Sequence, residues 1–285
     1  MRSQAIRERR QVNYRKTSWL RPFLVETFLL FFLAQNGASA ANQEIRVAAA
    51  ADLQFAMQDL AAQFEKSTGT RVDVSYGSSG NFFAQLQNGA PFDLFFSADI
   101  EYPERLEAAG FAEPGTLYEY AVGRIAIWMP ADAKVDLIRK GWNALLDPSV
   151  QKIAIANPEH APYGRAAVAA LQKAGLFEKV KSKLVYGENI SQAAQFAQSG
   201  NAQAGIVAMS LALSPGMKSG QRWEIPANMY PPIGQAAILL KGAQNRDGAG
   251  AFLEFVKTPA GRATLAKYGF TFPAAVEAPA NLGKK

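Results

Sequence analysis

The sequence predicts an α/β protein of about two domains, and three observations point that way. Strand-like and helix-like segments alternate from Glu44 onward. The second half of the chain repeats the grammar of the first. The length of 285 residues suits roughly two domains of ordinary size.

Each element follows from its pattern. Residues 45–50 make a short apolar strand, and Leu53, Met57, Leu60 and Phe64 then recur at helical spacing before Gly69. Residues 71–76 alternate as a strand and break at Gly77-Ser-Ser-Gly80. They are followed by a helix through Phe82, Phe83 and Leu86 to Gly89. Residues 92–97 form a third strand, and residues 102–109 a third helix stopped by Gly110. This βαβαβα run implies a parallel sheet with helices on both faces. Further strands are expected at 123–129, 153–156, 184–186, 204–208 and 233–240. Helices are expected at 142–146, at 165–174, from Asn189-Ile190 to Gly200, and at 249–267. The Ala- and Pro-rich tail from Pro273 is expected to be mobile.

Composition narrows the chemistry. The chain has no cysteine, which excludes disulfides, thiolate metal sites and a cysteine nucleophile. Its one histidine, His160, excludes paired-histidine zinc signatures. What remains is backbone, hydroxyl, amide, carboxylate and aromatic groups.

The net charge of +6 is concentrated at the start of the chain. Residues 1–40 hold Arg2, Arg7, Arg9, Arg10, Arg15, Lys16 and Arg21 against Glu8 and Glu26. The apolar run from Phe28 to Leu33 and the tripeptide Ala38-Ser39-Ala40 follow. Basic segment, apolar core and small-x-small site together read as a secretory signal peptide, cleaved after Ala40. The apolar run is too short to cross a bilayer as a helix. The remaining chain is nearly neutral, which argues against a nucleic-acid partner.

One motif recurs at four places. Asp52, Ser79, Tyr163-Gly164 and Asn189-Ile190 each end a strand or loop and open a helix. Helix N-termini present free N–H groups and partial positive charge, so they bind anions without basic side chains. Ordinary capping by Asp, Ser and Asn is the other reading of the same residues.

Longer stretches carry a resemblance. They are residues 47–53 with Ala56-Met-Gln-Asp59, Tyr76-Gly-Ser-Ser-Gly80, Gly89-Ala-Pro-Phe-Asp-Leu-Phe-Phe-Ser-Ala-Asp99, Asn157-Pro-Glu-His-Ala-Pro-Tyr-Gly164, Gly205-Ile-Val207 and Tyr268-Gly-Phe270. Together they resemble the periplasmic molybdate-binding proteins of ABC importers, over about residues 44–272. The resemblance implies a two-lobed periplasmic-binding-protein fold of type II, each lobe a mostly parallel sheet flanked by helices. Lobe I would be residues 41–121 plus 231–285, and lobe II residues 122–230. It also implies a monomeric periplasmic protein, without cofactor or resident metal, that hands molybdate or tungstate to an inner-membrane permease.

Site residues carry over one at a time. Ser79 matches a serine whose hydroxyl and N–H hold the oxyanion, and Ile190 matches an apolar residue offering its backbone N–H. Tyr163 matches a ligand tyrosine found in some members. Ala208 stands where others place theirs, and Ala98 offers only backbone. Asp52 departs from the usual member of the family, which carries serine or threonine there. A carboxylate about 4 Å from one negative charge costs about 4 kcal/mol at an effective dielectric near 20, and roughly double beside a dianion. Asp52 is therefore expected to turn away and cap its helix. The alternative is a proton shared with a ligand that carries its own, such as hydrogen phosphate.

Other readings are sulfate, phosphate or phosphonate capture, and an exported hydrolase using Ser78 or Ser79 with His160. Gly77-Ser-Ser-Gly80 is not a nucleophile elbow, since Asn81 stands where a glycine would be needed after Ser79. His160 is expected to make a structural hydrogen bond, and Phe82, Phe83, Phe95 and Phe96 to pack in the core.

Overall fold

The computed structural model describes residues 44–273. The expected signal peptide at 1–40 and the tail after Pro273 lie outside the described residues. β1 (Glu44–Ala50) passes through one 3-10 turn, Ala51–Leu53, into α1 (Gln54–Thr68). β2 (Arg71–Gly77), α2 (Ser79–Gln87), β3 (Leu94–Ser97), α3 (Glu101–Ala108) and β4 (Tyr118–Gly123) follow. After them come β5 (Ile125–Met129), α4 (Leu137–Lys140), a 3-10 stretch (Gly141–Leu146), β6 (Ile153–Ala156) and α5 (Pro162–Lys173). The chain continues through α6 (Phe177–Val180), β7 (Leu184–Gly187), α7 (Ile190–Gln198), β8 (Ala204–Ala208), α8 (Met209–Ala212) and β9 (Gln221–Glu224). It ends with β10 (Ile233–Leu239), α9 (Arg246–Lys257) and α10 (Pro259–Lys267).

The strands form two five-stranded sheets, ordered β2-β1-β3-β10-β4 and β7-β6-β8-β5-β9. β1 is parallel to β2 and β3, and β6 is parallel to β7 and β8, as the βαβ pattern predicts. β10 and β5 pair antiparallel with both of their neighbours, so each sheet is mixed. The fold is the expected two-lobed α/β architecture.

Several elements differ from expectation for local reasons. The strand expected at 123–129 is two strands in different sheets, with Arg124 alone between them. The helix expected at 249–267 breaks at Thr258-Pro259, where Thr258 is extended and its hydroxyl accepts from Gly261 N–H. Proline has no N–H to continue a helix and pushes the preceding residue out of the helical region. At the first helical position the same proline is well tolerated, so it starts α10. α5 starts at Pro162 rather than Arg165 for the same reason. β4, α4 and β9 had no sequence signal strong enough to mark them.

The core rests on the apolar faces read from the sequence. Leu53, Met57, Leu60 and Phe64 are all buried against the first sheet. Fully burying such a side chain contributes about 1.5–3 kcal/mol. Phe64 meets Phe252 edge to face at 5.1 Å, so α9 closes over α1. Phe82, Phe83 and Phe95 pack in a separate cluster on the other face of the first sheet, and Phe96 joins the Phe252 side. Among the described residues, no helix is long and apolar enough to cross a membrane.

Candidate functional site

Three helix-opening turns meet at one point. β1 delivers Ala51 and Asp52, β2 delivers Ser78 and Ser79 at the start of α2, and β7 delivers Ile190 at the start of α7. Ser78 and Asn189 cap α2 and α7 through side chains that accept from Asn81 N–H and Gln192 N–H. Capping at those positions leaves the first helical residues, Ser79 and Ile190, with free N–H groups, as helix geometry dictates. Neither N–H donates to a protein acceptor among the described residues.

These turns enclose a cavity of about 10 Å³, room for the centre of a water-sized group, lined by Asp52, Ser79, Ala98, Tyr163 and Ile190 among others. All four candidate residues, Asp52, Ser79, Tyr163 and Ile190, therefore line one space. A space of that size is about enough for one water-sized group and far below what a sugar or peptide would need. A wider cleft of about 510 Å³ lies beyond Ala98 and Pro162, bordered by Asp99, Tyr102, Arg105 and Arg165. The small cavity is the better site because the free amide groups converge there.

Elements of both sheets build the cavity and bind each other around it. Gly80 N–H donates to His160 carbonyl at 3.0 Å, Ser191 Oγ donates to Ala51 carbonyl at 2.9 Å, and Ser210 Oγ donates to Asp52 carbonyl at 2.7 Å. Arg165 pairs with Asp99. Ser79 Oγ accepts from Ala98 N–H at 2.9 Å, which fixes its rotamer at the cavity wall. His160 Nε2 bonds Glu188 carbonyl at 2.9 Å, the structural role expected of it. Neither Ser78 nor Ser79 shares a hydrogen bond with His160. The pairing a serine hydrolase needs is not made.

Asp52 departs from the capping expectation. The N-cap positions of the 3-10 turn and of α1 are Ala50 and Leu53, and neither carries a side-chain cap. The carboxylate instead joins a buried polar cluster, itself only 1% exposed. Oδ2 accepts from Tyr163 Oη at 2.8 Å and from Gln235 Nε2 at 2.7 Å. Tyr120 Oη closes the cluster by donating to Gln235 Oε1 at 2.7 Å. The formed bonds come from two donors on α5 and β10, and the amides of its own turn act on the carboxylate without making a cap. Oδ1 has no partner, and it is the one buried side-chain polar atom in that condition among the described residues.

Burial dominates the electrostatics. It pushes Asp52 up to about 6, while the bonds from Gln235 and Tyr163 and the amides of its own turn pull it part of the way back. Burial, reinforced by the charge of Asp52, holds the Tyr120 and Tyr163 phenols well above their usual range. Both tyrosines are therefore neutral donors at any physiological pH.

Gln235 and Tyr120 were missed in the sequence. A glutamine inside the apolar strand 233–239 was a usable signal, because a fully buried polar side chain needs partners. Tyr120 had no such marker. Among the described residues, no cluster of three His, Cys, Asp or Glu side chains could hold a metal ion.

Known proteins are similar to this chain in sequence and in fold. A family model for bacterial extracellular solute-binding proteins matches residues 45–271. The molybdate-binding protein ModA of Azotobacter vinelandii is 41% identical over 234 residues, which is 81% of this chain and 91% of that protein. ModA of Rhodobacter capsulatus is 41% identical over 231 residues, covering 81% of this chain and 89% of its own. The solved periplasmic molybdate-binding protein of Azotobacter vinelandii superposes with a TM-score of 0.76 at 35% identity, covering 81% of this chain and 100% of that one. With that coverage and identity, the chain belongs to the bacterial extracellular solute-binding protein family, whose members bind solutes rather than transforming them.

Proposed function

We propose that this protein is exported to the periplasm, captures molybdate or tungstate between its lobes, and delivers it to an inner-membrane ABC permease. The observation that carries this reading is the meeting of two free helix-start amides, from Ser79 and Ile190, at one small cavity. The relatives named for molybdate binding support the choice of oxyanion. The same reading takes lobe I as residues 41–121 plus 231–285 and lobe II as 122–230. Its support is that the chain crosses between sheets at Arg124 and again between β9 and β10.

Capture works by closure. Ser79 is carried by the first sheet and Ile190 by the second, so an anion bonded to both holds the lobes together. Ligand bonds that exist only in the closed form shift the population toward it. The permease then meets a surface that only the closed, loaded protein presents. Neutral donors suit this task, because they compensate the anion without adding a fixed charge that would resist release.

Calorimetric titration of the purified protein with molybdate, tungstate, sulfate and phosphate tests the reading. Molybdate and tungstate should bind most tightly; preference for sulfate or phosphate would move the protein to another oxyanion. Ser79→Ala removes a hydroxyl at the cavity wall and should weaken molybdate binding by about ten-fold or more, the worth of a bond to a charged group. An unchanged dissociation constant would remove Ser79 from the site.

Ile190→Pro deletes a single N–H. Proline is favoured at the first helical position, and Asn189 before it is already extended (φ −147°, ψ 178°), so α7 should survive. Molybdate affinity should fall at least about ten-fold with little change in helix content by circular dichroism. Retained affinity would show that this amide does not face the ligand.

A further inference from the structure

We propose that Asp52 makes the site proton-coupled: the bound oxyanion shares one proton with Asp52 Oδ1, so the protein takes its ligand as a hydrogen oxyanion or takes up a proton with it. This rests on the oxyanion-binding reading above and names the protonation state of what is bound.

The argument starts from the two carboxylate oxygens. Oδ2 is saturated by Tyr163 Oη and Gln235 Nε2, which lock the group in place. Oδ1 has no partner although it is buried, and Asp52 lines the same cavity as the free Ser79 and Ile190 amides. A buried acceptor without a hydrogen bond is costly; the amides of Asp52 and Leu53 draw on the carboxylate without a formed bond to Oδ1, and a donor in the cavity can complete it. A fully ionised oxyanion has none to offer. A hydroxyl on the oxyanion, or a proton on the carboxyl itself, supplies it and removes the repulsion between two anions.

The surroundings favour holding that proton. Tyr163 from α5 and Tyr120 from β4 are the titratable groups facing Asp52, and both are neutral. α7 and α8, packed on the same turn, carry no charged residue, and Ser210 of α8 bonds only the Asp52 carbonyl. Among the described residues, no cation therefore compensates the carboxylate. Burial has already raised Asp52 to about 6, and a neighbouring anion raises it further. The proton balance is simple. A hydrogen oxyanion brings its own proton, whereas a dianion above pH 6 requires one from solvent, and no covalent bond to the central atom changes.

Titration calorimetry of molybdate into the protein between pH 5 and 9, in paired buffers of different ionisation heat, tests this. At pH 8 the protein should take up close to one proton per molybdate, and the dissociation constant should rise about ten-fold per pH unit above about pH 6. Phosphate, whose hydrogen phosphate form keeps its own proton over this range, should bind with a flatter profile and little uptake above pH 8. Asp52→Asn should abolish the uptake and flatten the molybdate profile. Tight, pH-independent molybdate binding with no proton uptake by the unmutated protein overturns proton sharing and leaves oxyanion capture standing. Failure of molybdate, tungstate, sulfate and phosphate to bind at every pH, to either protein, overturns both. The proton count needs only the unmutated protein, so the test survives a misfolded variant.

Discussion

Gly80→Val should weaken molybdate binding by about 100-fold while the unliganded protein keeps its melting temperature to within a few degrees. Gly80 sits in the first turn of α2, which belongs with the first sheet, and the turn holding His160 follows β6 of the second. A Cβ at Gly80 would stand 2.7 Å from His160 carbonyl oxygen, 3.0 Å from His160 Cα and 2.9 Å from Tyr102 Oη. The tyrosine can rotate, but His160 meets the new methyls with backbone, which cannot. Opening the lobes relieves the overlap, so the penalty falls on the closed state alone. If closure becomes harder by about 3 kcal/mol, apparent affinity drops about 100-fold, because only the closed fraction binds. Valine is no worse a helix former than glycine, so the helix itself tolerates it. Titration with molybdate, paired with a thermal melt of the unliganded protein, reads both quantities. A dissociation constant within three-fold of the original would mean that this approach of α2 to the His160 turn is not part of the binding state.

The same residues show what the sequence could reveal about the fold. Strands read from apolar runs and helices read from 3.6-residue spacing were legible because burial imposes those periods directly; α1, with Leu53, Met57, Leu60 and Phe64, is the clearest instance. Helix starts were legible too, since Ser78 and Asn189 are good caps and Gly69 at φ 74° is a good stop. The division of residues 118–129 between two sheets was not. Both strands are locally similar, and which sheet each joins depends on partners more than 80 residues away, Ala208 for Ile125 and Ile233 for Gly123.

The candidate site splits along the same line. Ser79, Tyr163 and Ile190 could be placed at helix starts from local pattern, and they line one cavity. The role of Asp52 could not, because capping is a local decision that two distant donors overrode. Gln235 lies 183 residues from Asp52 and Tyr163 lies 111 away. Local propensity predicts the start of a helix; it does not predict what another strand brings to the same side chain.

That override has a measurable cost to the empty protein. Asp52→Asn should raise the melting temperature of the unliganded protein at pH 8 by roughly 6–12 °C. The Asp52 carboxyl ordinarily titrates at 3.8 and is held at about 6 in the fold, mainly by burial. A raised carboxyl favours the folded state while it is neutral. The stability it supplies is fully present below pH 3.8 and is lost as pH rises through about 6. A displacement of about 2 pH units corresponds to about 3 kcal/mol, all of it missing at pH 8. Asparagine keeps an oxygen for Tyr163 and Gln235 and never ionises, so it avoids the loss. Asp59, which Lys267 holds below its usual range, titrates in the opposite sense but is present in both proteins and cancels in the comparison. The gap between variant and unmutated protein should therefore open between about pH 4 and pH 6 and stay constant above. Thermal melts at half-unit intervals across pH 4–8 would trace it, and parallel curves for the two proteins would show that Asp52 is not held charged against its burial. A positive result would mean that the unloaded site stores an unfavourable charge, which a bound oxyanion carrying a proton relieves, so that part of the drive to close comes from the protein itself.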